Sequence, residues 1–143
     1  IIKAENADKE IETLGQINTN TQVVVDDRFD IPENISFDST ASISLTSYKA
    51  NHLIYESNSS KEQFAVFSEI YYDKGWNAYV DGNLVPHIRG NYVLRAMAIP
   101  SGQHTIEFKF EPKTHYTGET ISLASSLILL LFLIGVFYKE LKV

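Results

Sequence analysis

The sequence of 143 residues contains no cysteine, only one methionine and one tryptophan, and four prolines. The absence of cysteine excludes a disulfide scaffold, a thiolate zinc site and a thiol nucleophile. Positive charge is also scarce, because 12 Lys and Arg stand against 18 Asp and Glu, for a net charge of −6. A nucleic-acid-binding domain is expected to carry a basic surface, so the charge balance predicts no nucleic-acid partner.

Catalytic and cofactor motifs are absent as well. The sequence has no G-x-S-x-G, no P-loop and no G-x-G-x-x-G, and its four histidines are too widely spaced to form a metal-ligand pair. Asp26, Asp27 and Asp30 form a small acidic cluster. Such clusters bind calcium or hydrolyse glycosides only when they are suitably placed, and more often they are solvated turn residues. We therefore predict no catalytic residue, no metal site and no cofactor in this chain.

One long apolar run stands out against the otherwise polar chain. Residues 121–138 contain no charge and only three serines among 18 positions. This length just suffices for a helix to cross a bilayer core of about 30 Å, whereas a buried core helix normally keeps a polar face. We predict a transmembrane helix over residues 120–138, and we expect the chain to be a piece of a longer protein because it does not begin with Met.

Lysines at one end of this run predict its orientation. Lys139 and Lys142 follow the run directly, and positive charge favours the cytoplasmic side of a membrane. Residues 139–143 are then a cytoplasmic tail at the cell membrane. Residues 1–119 are an extracytoplasmic domain that begins with a short helix and linker over residues 1–20.

The pattern of residues 4–17 and that of the following chain predict different structures. Residues 4–17 have helical spacing, with Asn6 or Asp8 as the cap. From about residue 35 the apolar period becomes two, and Asp81-Gly82 between two apolar runs predicts a tight hairpin. Residues 64–72 are apolar on both faces, which is typical of a central strand. Residues 104–110 alternate, and the inward side chains are predicted to be His104, Ile106, Phe108 and Phe110.

About eight short strands with frequent turns predict a mainly β fold. The expected architecture is an antiparallel β-sandwich of the jelly-roll or immunoglobulin-like type. Parallel pairing is not expected, because the pattern shows no crossover helix between strands.

Aromatic residues make up 12% of the chain and concentrate near the predicted hairpin. Aromatic rings stack on the apolar faces of sugars, but they also fill β-sheet cores. Two arginines in the same region have a similar ambiguity, because they could bind an anion or pair with Glu69 or Glu107. The candidate contacts for a glycan or a protein partner are Trp76, Tyr72, Tyr79, Tyr92, Arg89 and Arg95.

Several linked motifs resemble the C-terminal end of the YfhO family of bacterial membrane proteins. They are Gly75-Trp76, Tyr79-x-Asp81-Gly82, Asn91 with Arg95, Pro100-x-Gly102-x-His104, Phe108-x-Phe110-x-Pro112, and Gly118-x-x-Ile121-Ser122 before the apolar run. Many relatives have Pro-Gly before the tryptophan, where this chain has Asp73-Lys74-Gly75. The resemblance is clear over residues 64–138 and general over residues 1–63.

The resemblance implies a role in the cell envelope. The family consists of large multi-pass proteins similar to glycosyltransferases of the GT-C type, which use lipid-linked sugars. Their catalytic loops are expected between earlier membrane helices, so this chain would be a non-catalytic accessory domain. The implied partners are the lipid bilayer, the rest of the same multi-pass protein and an envelope glycopolymer such as lipoteichoic acid. The alternative is a structural or partner-docking domain that binds no sugar.

Overall fold

The computed structural model describes residues 1–32, 35 and 37–141, with the backbone alone at residue 140. The predicted tail is therefore described only in part, and Lys142 lies outside the described residues. The chain divides into two compact units, Ile1–Phe110 and Glu111–Val143.

The first unit is mainly β. Its described residues form β1 (Ile2–Ala4), α1 (Ala7–Leu14), β2 (Val24–Asp26), β3 (Ser42–Lys49), β4 (His52–Ser59), β5 (Gln63–Ile70), β6 (Trp76–Val80), β7 (Asn83–Val85), β8 (Ile88–Gly90), β9 (Leu94–Ile99) and β10 (Gly102–Phe110). The predicted hairpin at Asp81-Gly82 is confirmed, since both residues have positive φ, 50° and 80°, between β6 and β7.

Two antiparallel sheets share one core. The wider sheet has the order β3-β4-β10-β6-β7, and the narrower has the order β5-β9-β8. Ile106 and Phe108 of β10 are completely buried, as the alternation in this segment predicts. The core also includes Leu53, Ala78 and Val80 from the wider sheet and Phe67, Met97 and Ile99 from the narrower one.

Strand β5 corrects one prediction. Its two apolar faces indicated a central strand, but β5 lies at the edge of the narrower sheet and pairs only with β9 among the described strands. Phe67 points into the core, while Phe64 and Val66 line a groove. Both faces are apolar because each is covered in part, although none of the described strands pairs with the outer edge of β5.

The N-terminal segment corrects a second prediction. β1 and β2 pair in parallel, Ile2 with Val24 and Ala4 with Asp26, and α1 is the crossover between them. The helix is shorter than residues 4–17, because Ala4 belongs to β1, Asn6 is the N-cap and Gly15 follows the last helical residue, Leu14. Asn6 caps it, as one of the two predicted caps, by accepting a hydrogen bond from the backbone N–H of Lys9 at 3.0 Å.

The second unit is a long helix, α2 (Lys113–Leu141). It begins eight residues before the apolar run, and its apolar side chains are exposed in this structure. Residues Lys113–Lys139 are long and apolar enough to cross a membrane, by length and composition.

A buried network joins the N-terminal segment to the narrower sheet. Asn91, at φ 47°, accepts from the N–H of Val24 through its side chain and donates its own N–H to the carbonyl of Val24. Glu10 of α1 is completely buried. Its carboxylate accepts from Arg89 Nη2 at 2.8 Å and from the backbone N–H of Tyr92 at 2.7 Å. A helix of only eight residues is therefore held in place by one buried carboxylate.

Replacing this carboxylate should detach the N-terminal segment. Glu10→Ala leaves the N–H of Tyr92 without its acceptor and leaves Arg89 with the longer contact to Asp26 alone, and we expect the free energy of unfolding to fall by about 3 kcal/mol. Glu12→Gln on the same helix is the control, because Glu12 is exposed and pairs only with Lys9. Denaturant unfolding of the chain in detergent micelles measures both, and equal stability of the two variants would contradict the role given to Glu10.

Candidate functional site

The candidate site is a groove that arises because the two sheets differ in width. The inner face of the wider sheet continues onto β3, where Ile43 pairs with Ser57 and Leu45 pairs with Tyr55. The narrower sheet ends at β5 and leaves this part of the face uncovered. Ile43 and Leu45 are consequently 43% and 47% exposed, although they lie on the same face as the buried Leu53.

The groove has a volume of about 520 Å³ and is open to solvent. β3 and β4 form one wall, β5 forms another, and residues 19–23 close one side. Clefts of 300–1,000 Å³ are the usual size for small ligands. The space therefore suits a ligand of a few rings.

The groove lining combines apolar side chains with neutral polar ones. Phe37, Phe64 and Ile43 supply apolar surface, and Asn20 and Gln22 supply amide groups. The hydroxyls of Ser57 and Ser59 donate to the carbonyls of His104 and Lys61, so they remain available only as acceptors. The described lining contains no Lys, Arg or His side chain. This combination fits an uncharged ligand that has both apolar faces and hydroxyl groups, because the described lining has no cationic side chain to bind a phosphate.

Asp38 is the carboxylate in the described lining, and its oxygens are already engaged. One oxygen accepts from the backbone N–H and the hydroxyl of Thr40, at 2.9 and 2.6 Å. The other accepts from the same two groups of Ser60, again at 2.9 and 2.6 Å. These hydrogen bonds, led by that of the Ser60 hydroxyl, hold the pKa of Asp38 well below its usual range. Asp38 therefore links Thr40 to Ser60 at the edge of the groove. Because it is ionised, it has no proton to donate as a general acid.

Trp76 and Arg95, two of the predicted contacts, pack on each other inside the first unit. Arg95 is 2% exposed, and its Cζ lies 4.0 Å from the Trp76 ring centroid and 5.1 Å from that of Phe108. Its Nε donates to the carbonyl of Ile70 at 3.0 Å, and burial lowers its pKa. These contacts tie the two sheets together.

The other predicted contacts also lie outside the groove lining. Arg89 pairs with Glu10 and with Asp26 at 3.3 Å, rather than with Glu69 or Glu107, and its Cζ lies 5.6 Å from the Tyr92 ring centroid. The ring of Tyr79 lies 4.7 Å from Lys109 Nζ, and Tyr72 is half-exposed. A glycan or partner contact at these positions stays a prediction.

Two carboxylate–histidine pairs of the first unit lie outside the groove. His52 Nε2 lies 2.7 Å from Glu107, and His104 Nδ1 lies 2.6 Å from Asp81. The other ring nitrogen of His104 faces the carbonyl of Ser101 at 3.0 Å, so the charged imidazolium donates twice, and the bond to Asp81 raises its pKa. The second pair fixes the β6–β7 turn. Within the described residues no group of three or more His, Asp or Glu is placed to hold a metal ion.

The groove was not identified from the sequence, although one signal of it was present. The apolar outer face of β5 required a cover, and the pattern alone does not say whether that cover is protein, ligand or solvent.

Comparison of the sequence with known proteins identifies a family. A family model described as bacterial membrane protein YfhO matches residues 19–122, more than two thirds of the chain. No curated protein and no solved structure matches it.

Removing Trp76 should lower stability. We expect Trp76→Ala to reduce the free energy of unfolding by about 3 kcal/mol, because the ring covers Arg95 and packs on Phe110. Tyr72→Ala is the control at a half-exposed aromatic residue and should change stability by less than about 0.5 kcal/mol. Unchanged stability of Trp76→Ala, together with lost sugar binding, would instead identify Trp76 as a ligand contact.

Acid should destabilise the first unit through His87. Its ring packs on Tyr71 and Phe108, and burial, with a smaller effect of Arg95, lowers its pKa below 6.5. Below pH 6.5 His87 is therefore protonated more readily in the unfolded chain than in the folded chain. The free energy of unfolding consequently falls as the pH drops from 6.5 towards the lowered pKa. We expect His87→Phe to flatten this part of the pH profile of denaturant unfolding.

His104 gives the control with the opposite sign. Its pKa is raised in the folded chain, so its contribution is complete below pH 6.5 and is lost as the pH rises through the raised value. His104→Gln should therefore flatten the pH profile of the free energy of unfolding above pH 6.5. It should leave unchanged the slope just below pH 6.5 that we attribute to His87. An unaltered acid slope in His87→Phe would show that other groups cause it.

Proposed function

Because the chain belongs to the YfhO family of bacterial membrane proteins, we propose that its first unit is an accessory glycan-binding domain of a cell-envelope glycosyltransferase. The domain is an extracytoplasmic β-sandwich, and it holds the sugar-bearing part of a glycopolymer such as lipoteichoic acid. The transfer of sugar from a lipid-linked donor takes place in other parts of the same multi-pass protein. This chain contributes binding and no bond chemistry.

The observation that carries this proposal is the groove between β3 and β5, whose described lining has no cationic side chain and whose carboxylate, Asp38, is already hydrogen-bonded to Thr40 and Ser60. A pyranose ring has an apolar C–H face that packs on Phe37 or Phe64, and hydroxyl groups that bond to serine and amide side chains. An anionic polymer backbone finds no cation in the described lining, so we infer that recognition is directed at sugar units and not at phosphates.

The orientation of the domain is part of the proposal. The candidate membrane span has a lysine at each end, but Lys139 follows the apolar run directly, whereas Lys113 lies eight residues before it. We assign the Lys139 end to the cytoplasm by the positive-inside rule. The first unit then lies outside the cytoplasm, where envelope polymers are modified.

Binding of neutral oligosaccharides to the chain in micelles tests the groove. Phe37→Ser removes an apolar side chain that is 66% exposed. We expect it to weaken binding about tenfold, because one stacking contact contributes roughly 1–1.5 kcal/mol. Titration calorimetry measures the affinity. The affinity should not change between low and high salt, since the proposed contacts are uncharged.

Leu84→Ser provides the matched control. Leu84 is also 66% exposed, but it lies on β7 and outside the groove lining. This variant should bind sugar like the parent chain. Failure of the parent chain to bind any neutral glycan, or an equal loss in both variants, would rule out the groove as a glycan site.

A second function is favoured by the free edge of β3. This strand pairs on one side only among the described strands, and an added strand from another protein would cover Ile43 and Leu45. Amide hydrogen exchange separates the two functions. A docking domain would show β3 amides protected in the full-length protein and exchanging in the isolated chain, whereas a glycan-binding domain would show the same exchange in both.

A further inference from the structure

The end of the first unit from which the chain continues into α2 differs from the opposite end. β10 ends at Phe110, which pairs with Trp76 at the start of β6. β9 begins at the same end, because a tight turn at residues 100–101 joins the far end of β9 to the beginning of β10. Ile70 pairs with Leu94 there. We call this end, from which the chain continues into α2, the exit end. Strand pairing and chain connectivity identify it in both sheets.

Exposed apolar side chains collect at this exit end. Tyr48, Ile70, Tyr72 and Val93 are 44–70% exposed, and we call these four residues the exit rim. Phe37 and Ile43, two exposed apolar side chains near the opposite end, line the groove, and the turns there, residues 59–62, 81–83 and 100–102, consist of Ser, Lys, Glu, Asp, Gly, Asn and Pro. Turns in water normally have such polar compositions, so the exit rim requires an explanation that the opposite end does not.

The length of the candidate span places the exit rim close to lipid. The span Lys113–Lys139 has 27 residues, which extend about 40 Å as a helix. The apolar run 121–138 accounts for about 27 Å of this length, close to the bilayer core of about 30 Å. Lys113 then lies about 12 Å beyond that core, at the outer edge of the headgroup layer, and Phe110 precedes it by three residue steps, at most about 10 Å of chain.

We propose that the exit rim contacts the lipid headgroup layer and that its apolar side chains enter the interfacial region of the bilayer. Tyrosine is enriched at this depth, because its ring is apolar and its hydroxyl remains hydrated. Lys49 and Lys74 are exposed beside the rim and can reach anionic phosphates, while Asp73 offsets part of their charge. The contact therefore depends mainly on the apolar side chains. It differs from the groove in location and in ligand.

The absence of cysteine makes a direct test practical, because each introduced cysteine is unique. Ile70→Cys and Val93→Cys place a fluorescent label on the exit rim, and Lys61→Cys and Asn83→Cys place it at the opposite end. All four positions are exposed or lie in turns, and equal thermal unfolding verifies that each labelled chain is folded. The chain is reconstituted in nanodiscs of phosphatidylcholine and phosphatidylglycerol, without any sugar.

The labels on the exit rim should be quenched several-fold more by lipids that carry a nitroxide than the labels at the opposite end. Aqueous iodide should give the reverse order. Equal quenching at both ends would overturn the proposal, and so would rim labels that are shielded from both quenchers, since shielding from both indicates a protein contact. Because no glycan is present, neither result depends on whether the groove binds sugar.

Discussion

The inner face of the wider sheet carries more apolar surface than three strands can cover. β4, β10 and β6 lie opposite the narrower sheet and supply the fully buried core residues, whereas β3 carries the same alternation beyond the edge of that sheet. Burial of apolar surface is the main force that holds two sheets together. The mismatch in width therefore fixes where the core ends and where the groove begins.

The N-terminal segment forms one side of the groove. It attaches to the β8 side of the narrower sheet through Asn91 and Val24 and through the carboxylate of Glu10. A buried carboxylate is tolerated only when its hydrogen bonds are satisfied, and here Arg89 and the N–H of Tyr92 satisfy them. Residues 19–23 of the same segment line the groove. The buried charge network therefore helps to hold one side of the groove in place.

Local features of the fold followed from the sequence, whereas their arrangement did not. The Asp81-Gly82 turn, the Asn6 cap and the alternation of β10 each depend on residues close in sequence, and all three were predicted. The edge position of β5 and the parallel pairing of β1 with β2 depend on partners 20 or more residues away. Arg89 illustrates the same limit, since its partner Glu10 lies 79 positions away and belongs to an element outside the sheet. Periodicity shows that a face is apolar, but it does not identify the surface that covers it.

A groove without cationic side chains is consistent with the glycan-binding function proposed above. Neutral hydrogen bonds contribute about 0.5–1.5 kcal/mol each and stacking a similar amount, so a few such contacts give only weak affinity. If the proposed acceptor polymer is anchored in the same bilayer, it does not have to be captured from dilute solution, because tethering of both partners raises their effective concentration towards the millimolar range. Weak binding also allows a polymer to slide or exchange between successive transfers. Strong electrostatic attraction would oppose that release, and the described lining of the groove, which lacks cationic side chains, does not provide it.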